Sequence, residues 1–313
     1  MAAMRRNPLF YLGRVLHGLE QTGIVPRTVQ CDDHGWSRRS LAAVAGITPT
    51  GEPSLDVPPS ASAAGVGVDL WLARLDDLGA SEGEPVGPSG ADESARAARI
   101  ADPVARSRYL ASRRLLRGIL AQRLKRQPDT LEFEVSHQGK PRLVAEDGPA
   151  LHFNLSHAGG WLLIATRVDG PIGVDLEFPR DGIDLERLAR RVFSPAEQAG
   201  LQRATERSAA ARQRWFFACW TRKEALLKCL GTGFAGGASA FEVGVEPTMH
   251  SVSTPGHEYD SVCVNSLKLP ELTAAPAKAH AAVAWSSQSL SVAAPRGPGD
   301  GAILRYHWVD PTA

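Results

Sequence analysis

Two acidic side chains lie two residues apart in the segment Gly173-Val-Asp-Leu-Glu177. If this segment is a strand, Asp175 and Glu177 point to one face while the apolar residues beside them face the core. Two carboxylates this close repel each other, so the arrangement is favourable when a cation lies between or beside them. Such oxygen ligands suit Mg²⁺, which completes its coordination with water and phosphate oxygens. The alternative is a pair of surface acids at the end of a half-buried strand.

A second group of charged side chains lies in the segment Trp220-Thr-Arg-Lys-Glu-Ala-Leu-Leu-Lys228. Glu224 and Lys228 are four residues apart, so a helix places them on one face. A pair of this kind is commonly exposed and contributes about 0.2–0.5 kcal/mol. The strongly apolar flanks of the segment instead favour a mostly buried helix, on which a carboxylate and an ammonium face a site. Both interpretations remain open from the residues alone.

Further polar residues end an apolar run in the segment Asn154-Leu-Ser-His157. Ser156 and His157 do not form a catalytic pair as strand neighbours, because they point to opposite sides and no Gly-x-Ser-x-Gly turn is present. An amide, a hydroxyl and an imidazole at a strand end are better suited to hold an anion. Lys140, in the turn Gly139-Lys-Pro141, is likewise expected to reach a phosphate. The sequence contains no Walker loop, Gly-x-Gly-x-x-Gly motif or His-Glu-x-x-His motif.

The segment from residue 96 to residue 126 carries ten basic residues and one acid, Asp102, although the whole chain has a formal charge of only +1. It reads as a helix from Asp102 to Gln127, with Asp102 as its N-cap and Pro103 at the first helical position. The basic residues occupy more than one face. They form either a solvated surface or a site for a polyanion.

Strands and helices mix along the chain without a regular β-α-β order, which predicts an α+β fold. Strand patterns cover 66–75, 131–135, 151–154, 161–167, 172–177, 281–285 and 303–309, and helical patterns cover 102–127, 185–192, 195–202 and 209–230. The motif Ser194-Pro-Ala-Glu197 predicts a capping box. Residues 46–65 are rich in Pro, Ser, Gly and Ala, so we expect residues 1–65 to be a poorly ordered extension.

The composition excludes several classes of protein. The chain has 313 residues, 43% of them hydrophobic and 22% charged, so it is able to bury a core and is not disordered throughout. Its near-zero net charge argues against a surface built wholly for nucleic acid. Four cysteines without a C-x-x-C pair favour a reducing, cytoplasmic compartment. No apolar run approaches the roughly 20 residues needed to span a membrane.

Taken in order, these motifs resemble those of the Sfp-type 4′-phosphopantetheinyl transferases. The family pattern G-K-P, N-x-S-H-x-x-G, G-x-D-x-E, F-S-P-x-E and W-x-x-K-E-A-x-x-K corresponds to residues 139–141, 154–160, 173–177, 193–197 and 220–228. The basic helix, with Arg108, also resembles the family's first long helix. His137 and Gln138 depart from the pattern, because a basic residue is frequent there. The resemblance covers about residues 66–290 and says nothing about residues 1–65.

The resemblance implies an α+β pseudo-dimer of two similar subdomains, with the active site in the cleft between them. We expect an N-terminal subdomain over 66–168 and a C-terminal subdomain over 169–313 that carries the metal site, meeting near 166–171. The implied Mg²⁺ ligands are Asp175, Glu177 and Glu224. The residues implied to bind coenzyme A are Arg108, Lys140, Pro141, Asn154, Ser156, His157 and Lys228. Glu224 and Lys228 are the implied catalytic residues.

The resemblance also implies a reaction. The 4′-phosphopantetheine arm of coenzyme A moves to a serine of an acyl or peptidyl carrier protein, and adenosine 3′,5′-bisphosphate is released. We expect a cytoplasmic monomer that binds neither nucleic acid nor membrane. One alternative is a non-catalytic module that binds coenzyme A or a carrier protein, and the other is a nucleic-acid-binding protein that uses the basic helix. Nucleic-acid binding would need aromatic residues among the arginines, and that helix offers only Tyr109.

Overall fold

The computed structural model describes residues 36–40, 67–78, 91–136, 139–144, 150–168, 170–234, 237–246, 248–269, 279–286 and 303–310. The helices within these ranges are α1 (Ala91–Ala98), α2 (Pro103–Leu124), α3 (Leu185–Val192), α4 (Pro195–Arg207) and α5 (Ala209–Leu230). The strands are β1 (Trp36–Ser40), β2 (Gly67–Arg74), β3 (Phe133–Val135), β4 (Pro141–Leu143), β5 (His152–Ala158), β6 (Trp161–Arg167), β7 (Ile172–Glu177), β8 (His250–Ser253), β9 (Ser261–Ser266), β10 (His280–Ser286) and β11 (Ile303–Asp310).

The strands form two main sheets and a small hairpin. The first sheet has the order β1-β11-β2-β6-β5, the second has the order β7-β10-β9-β8, and β3 pairs with β4. β11 is parallel to both of its neighbours, whereas the other pairings are antiparallel. This mixture of helices and mainly antiparallel sheets confirms the predicted α+β class.

The sheets and long helices form four layers, because each strand presents apolar residues to both faces. In β2, Leu70 and Leu72 pack against residues of the second sheet, whereas Trp71 packs on the side of α2. In β10, Val283 lies between the sheets while Ala282 packs against α5. Alternation along a strand produces this two-sided burial. The layer order is therefore α2, first sheet, second sheet and α5.

Helix boundaries follow the capping signals in the sequence. The carboxylate of Asp102 accepts hydrogen bonds from the amides of Val104 and Ala105, both at 3.2 Å, as expected for the N-cap of α2. The capping box of Ser194 and Glu197 is present at the start of α4. α2 ends at Leu124 rather than Gln127, because Lys125 adopts a left-handed conformation with φ of 54°. α4 continues to Arg207, five residues beyond its predicted end.

The two ends of the chain depart from the predicted subdomain boundaries. β11 lies between β1 and β2, so residues 303–310 belong to the sheet of the N-terminal half and not to that of residues 172–286. β1, within the segment predicted as a poorly ordered extension, pairs with β11. Alternation identifies a strand but not its partner, so the sequence pattern could not assign either pairing. The rest of the predicted extension and the departures at 137 and 138 lie outside the described residues.

β6 ends at Arg167 in the first sheet and β7 begins at Ile172 in the second, on either side of the predicted junction. The division into two subdomains stays a prediction. Each half packs one long helix against its sheet, α2 in the first and α5 in the second. Similarity between the two halves stays a prediction. None of the described helices is both long and apolar enough to cross a membrane.

Candidate active site

A cleft of about 760 Å³ opens between α2, the strands β5 and β7, and α5. Seven of the ten residues predicted for the site line it, namely Arg108, Ser156, His157, Asp175, Glu177, Glu224 and Lys228. Apolar side chains, including those of Phe216, Phe217 and Trp220 on α5, form part of its wall. The structure thus brings together charged groups from segments that are more than a hundred residues apart in sequence.

Gly173 determines how closely α5 approaches β7. A Cβ atom at this position would lie 2.1 Å from the carbonyl oxygen of Ala225 and 2.4 Å from the amide nitrogen of Cys229. Any larger residue would therefore displace the helix from the strand. The direct contact of backbone with backbone sets Lys228 and Glu224 opposite the face of β7 that carries Asp175. The glycine of the G-x-D-x-E segment is thus a packing requirement of the site.

Asp175 is the most buried of the three acids, with a relative exposure of 3%. Its Oδ1 accepts hydrogen bonds from Lys228 Nζ at 2.7 Å and from Ser156 Oγ at 2.9 Å. Its Oδ2 is buried and has no hydrogen-bond partner among the described residues. Buried polar atoms are normally paired, so this oxygen has an unmet capacity to accept a proton donor or a cation.

The electrostatic environment raises the pKa of both glutamates. Burial raises the pKa of Glu177 to about 7, with a further rise from Asp175, while Arg180, Lys228 and the indole of Trp220 act against it. Burial also raises the pKa of Glu224 to about 8, again helped by Asp175 and opposed by Lys228. Burial alone would lower the pKa of Lys228, but the surrounding carboxylates outweigh it and raise that pKa. The acids therefore repel each other within the cleft.

The donor set fits a divalent cation held through oxygen. Across the described ranges, no three His, Cys, Asp or Glu side chains are already grouped as a set of metal ligands. Asp175 Oδ2 nevertheless lacks a partner, and the mutual repulsion of Asp175, Glu177 and Glu224 would be relieved by a positive ion. Carboxylate oxygens are the ligand type that Mg²⁺ prefers. The residues present are therefore chemically suited to it.

Arg108 lines the cleft and is paired with Asp76, which the sequence analysis missed. Its Nε and Nη2 donate to the two carboxylate oxygens of Asp76 at 2.7 and 3.0 Å. A Cβ atom on Gly160 would lie 2.7 Å from Asp76 Oδ2 and 3.1 Å from Arg108 Nη2. The last glycine of the N-x-S-H-x-x-G motif therefore leaves room for this pair. Asp76 lies 32 residues before Arg108 in no recognisable motif, so the sequence contains no signal for it.

Three predicted site residues lie outside the lining of the cleft. The ammonium of Lys140 donates to the carbonyl oxygens of Ile172, Lys228 and Cys229, and its contact with a phosphate stays a prediction. Asn154 Oδ1 accepts from the amide of Val174 at 2.9 Å and thereby joins β5 to β7. Pro141 begins β4 next to Lys140. Motif spacing located these residues but gave no information on their partners.

A buried ion pair connects two of the motifs away from the cleft. The side chain of Lys223 is 1% exposed, and its Nζ lies 2.7 Å from Glu197 Oε2. The same ammonium donates to the carbonyl oxygens of Ala238 and Phe241. The lysine of W-x-x-K-E-A and the glutamate of F-S-P-x-E thus fix α5 against the start of α4. The predicted structural role of the capping box extends to this pair, which the sequence analysis did not identify.

Arg180 is a further residue of the cleft that the sequence analysis missed. It lines the cavity, and its Nη2 lies 3.5 Å from Glu177 Oε2. A basic residue three positions after the G-x-D-x-E segment was the available signal. Its positive charge partly offsets the negative charge of the acids.

Several arginines of the basic helix are held by intramolecular contacts. Arg117 is buried and binds Glu93 at 2.8 Å together with two backbone carbonyl groups. Arg123 pairs with the buried carboxylate of Asp69 at 2.9 Å. Part of the charge that a polyanion-binding helix would present therefore serves the packing of α2.

Two family models match the chain. The first, the 4′-phosphopantetheinyl transferase superfamily, matches residues 171–284, and the second, 4′-phosphopantetheinyl transferase, N-terminal, matches residues 91–169. Together they cover both sides of the cleft.

The chain is also similar to individual 4′-phosphopantetheinyl transferases. The chain is 37% identical over 197 residues to the 4′-phosphopantetheinyl transferase HetI of Nostoc sp. (strain PCC 7120), covering 62% of this chain and 81% of that protein. It is 30% identical over 129 residues to the 4′-phosphopantetheinyl transferase Sfp of Bacillus subtilis (strain 168), covering 41% of this chain and 54% of that protein. The chain is 36% identical over 129 residues to the 4′-phosphopantetheinyl transferase AcpT of Salmonella typhi, covering 41% of this chain and 60% of that protein. The chain thus spans four fifths of HetI but less than two thirds of the other two. As its motifs predict, the chain belongs to the 4′-phosphopantetheinyl transferase family of enzymes.

Proposed function

We propose that this enzyme transfers the 4′-phosphopantetheine arm of coenzyme A to a serine hydroxyl of an acyl or peptidyl carrier protein, in a Mg²⁺-dependent reaction that releases adenosine 3′,5′-bisphosphate. The observation that carries this proposal is the single cleft in which the acids of β7 and α5 meet Lys228 and Arg108. The relatives named above are themselves 4′-phosphopantetheinyl transferases.

The acids of the cleft are proposed to hold the metal ion. Asp175, Glu177 and Glu224 would be its protein ligands, with Asp175 offering the oxygen that lacks a partner. When bound, Mg²⁺ would supply positive charge that offsets the charge of the coenzyme A diphosphate. The indole of Trp220 and the guanidinium of Arg180 interact with Glu177 and so keep its carboxylate in the cleft.

Arg108, His157 and Lys228 are proposed to hold the phosphates of coenzyme A. All three line the cleft, whose volume falls within the range of about 300–1,000 Å³ typical of small-molecule sites. Ser156 belongs to the same wall, where its hydroxyl donates to Asp175 and fixes that carboxylate. Asn154 supports the site indirectly, because its amide oxygen holds β7 beside β5. Lys140 and Pro141 stay predicted ligands of coenzyme A, although neither is among the residues that line the cleft.

Glu224 is proposed as the base. A serine hydroxyl is a weak nucleophile at neutral pH, so a group in the cleft must accept its proton as it attacks phosphorus. Glu224 lies on the face of α5 that lines the cleft, so it is placed to accept this proton directly or through water. Lys228 lies one turn further along the helix, where its ammonium would offset charge on the departing phosphate.

The remaining expectations concern the cellular location of the protein, its oligomeric state and nucleic-acid binding. The cytoplasmic location predicted from the sequence stays a prediction. A monomeric state and the absence of a nucleic-acid partner stay predictions.

The decisive experiment measures mass. Apo acyl and peptidyl carrier proteins are incubated with the enzyme, coenzyme A and Mg²⁺, and the intact mass of each carrier is recorded. We expect the mass increase of one phosphopantetheine group, its loss with a chelator, and no increase when the acceptor serine of the carrier is replaced by alanine. Coenzyme A binding without any mass change would favour the non-catalytic module, and a salt-sensitive gel shift with nucleic acid alone would favour the third alternative.

A further inference from the structure

Asp76 lies in the short 3₁₀ turn Leu75–Leu78, which follows directly after β2. β2 pairs with β6, and the amide of Leu75 extends this pairing by donating to the carbonyl oxygen of Gly160 at 2.7 Å. Gly160 belongs to the turn between β5 and β6 and lines the cleft, as Leu75 does. The backbone of the first sheet therefore places Asp76 next to the wall of the cleft.

Asp76 binds the guanidinium of Arg108 through both of its carboxylate oxygens. Oδ1 accepts from Nε at 2.7 Å, and Oδ2 accepts from Nη2 at 3.0 Å. Two hydrogen bonds to one planar group fix its orientation as well as its position. The side chains of Asp76 and Arg108 are 36% and 20% exposed, so this ion pair is in contact with solvent and contributes little to stability. Its main consequence is the orientation of Arg108 in the cleft.

The Asp76–Arg108 pair also lies against the turn that follows β5. Gly160 has φ of +78°, which favours glycine, and a Cβ atom there would lie 2.7 Å from Asp76 Oδ2 and 3.1 Å from Arg108 Nη2. The pair therefore fills the space beside this turn. His157, another of the proposed phosphate ligands, lies three residues before Gly160, near the end of β5. Asp76 thus holds Arg108 beside the strand that carries His157.

Asp76 has two opposing effects on a phosphate bound by Arg108. Its negative charge repels the phosphate, so charge alone predicts that removal of Asp76 strengthens the binding of coenzyme A. Its hydrogen bonds restrict an arginine side chain that otherwise samples many rotamers, so preorganisation predicts that removal weakens binding. Solvent and salt screen the repulsion because the carboxylate is partly exposed, whereas the hydrogen bonds act at contact distance. Preorganisation is therefore the larger effect.

From these contacts we infer that Asp76 is a positioning residue for coenzyme A binding, which holds the guanidinium of Arg108 in the orientation that binds a phosphate. This inference rests on the proposed function, in which Arg108 is a phosphate ligand. Asp76 is not among the residues that line the cleft, so it acts through Arg108 and not by contact with the coenzyme. The sign of the change in affinity distinguishes this role from simple repulsion.

A double-mutant cycle tests the inference, with the Kd for coenzyme A measured by calorimetry in the presence of Mg²⁺. Asp76→Ala should raise this Kd at least about fivefold, the scale of coupling between residues in contact. In an Arg108→Met background the same substitution should change the Kd by less than about twofold, because the group that Asp76 positions is absent. Asp76→Asn keeps one acceptor oxygen and should raise the Kd less than Asp76→Ala. Asp129→Ala, at an exposed position outside the cleft lining, is the matched control and should match the wild type.

Steady-state transfer supplies a second measurement. The loss in Asp76→Ala should appear in the KM for coenzyme A and not in kcat, because only binding of the coenzyme is weakened. A lower or unchanged Kd in Asp76→Ala would overturn the inference, as would an equal rise in the Kd in the Arg108→Met background. If Asp76→Ala does not fold, Asp76→Asn is judged by the same measurements. If the wild type binds coenzyme A but transfers nothing, the proposed function fails, whereas the cycle still decides whether Asp76 positions Arg108.

Discussion

Lys228 Nζ lies 2.7 Å from Asp175 Oδ1 and joins α5 to β7, although the two residues are 53 positions apart in sequence. The aspartate side chain is almost fully buried, while the lysine side chain is 28% exposed toward the cleft. The pair holds one carboxylate oxygen and leaves the other, Oδ2, without a partner. This relationship underlies both the proposed metal site and the proposed role of Lys228 with the phosphates.

Loss of either central acid should abolish most of the transfer. We expect Asp175→Ala and Glu224→Gln each to reduce kcat at least about a hundredfold, the scale of a lost metal ligand or general base. Glu206→Gln, at an exposed position of α4, is the matched control and should retain full activity. Steady-state assays with coenzyme A, Mg²⁺ and a carrier protein measure the effect. Turnover at the wild-type level in both variants would remove these residues from the mechanism.

Substitution of Gly173 should separate α5 from β7. Because a Cβ atom would lie 2.1 Å from Ala225 O, Gly173→Ala is expected to destabilise the fold by about 1–3 kcal/mol, the usual cost of overpacking. Transfer should fall as well, since Lys228 moves away from Asp175. Gly182→Ala is the control, because its φ of +78° gives strain but nothing lies near the added atom. Equal losses of stability and activity in both variants would mean that the close contact has no special role.

Removal of one partner from the buried pair Lys223–Glu197 should destabilise the protein strongly. Lys223→Met leaves a buried carboxylate without its cation, which costs about 3–5 kcal/mol. The exposed pair Arg142–Glu134 provides the comparison, and Arg142→Met should cost no more than about 1 kcal/mol. Urea unfolding measures both values. Similar free energies of unfolding for the two variants would contradict the structural role assigned to Lys223.

The stability of the metal-free protein should depend on pH through His280. Burial, with a smaller contribution from Arg214, lowers the pKa of this imidazole to about 4, and its ring stacks on Phe217. The unfolded chain takes up the proton near pH 6.5, so the stabilisation is complete above that pH and is lost as pH falls toward 4. Between these two pH values, the contribution of His280 to the free energy of unfolding changes by about 3 kcal/mol.

The comparison for this prediction is His280→Gln, measured by urea unfolding at several pH values. Glu177 and Glu224 have raised pKa values, so they act in the opposite direction and make the protein more stable in acid. The informative quantity is therefore the difference in the free energy of unfolding between the wild type and the variant. This difference should shrink as the pH falls from 7 to 4, and a constant difference would refute the prediction.

Mg²⁺ binding should release protons and strengthen with pH. In the metal-free protein the pKa values of Glu177 and Glu224 are about 7 and 8, so both are largely protonated at pH 6. A cation bound by carboxylates displaces these protons. Calorimetry in two buffers of different ionisation enthalpy measures the number released, and the affinity should be higher at pH 8.5 than at pH 6. An affinity independent of pH would argue that these acids do not bind the metal.

The chemistry of the site was predictable from the sequence, because local spacing decides which side chains share a face. The two-residue spacing of Asp175 and Glu177 and the four-residue spacing of Glu224 and Lys228 follow from strand and helix geometry, whatever the remainder of the chain does. β6, β7, α3 and α5 begin and end at the predicted residues, because capping residues and alternating patterns act locally. The order of five motifs was sufficient to predict the family, which the comparisons confirm.

Only the tertiary structure decided how the separate segments pair. Lys140 and Asn154 lie in motifs of the site, yet their partners are backbone groups of β7 and α5 that no spacing rule connects to them. Asp76 pairs with Arg108, and β11 joins the first sheet, through contacts between residues far apart along the chain. A side chain's role depends on which acceptor or donor it meets after packing, and that is a property of the assembled layers. The sequence therefore determined the reactive groups and their local geometry, while the packing of α5 on β7 decided which of them share the cleft.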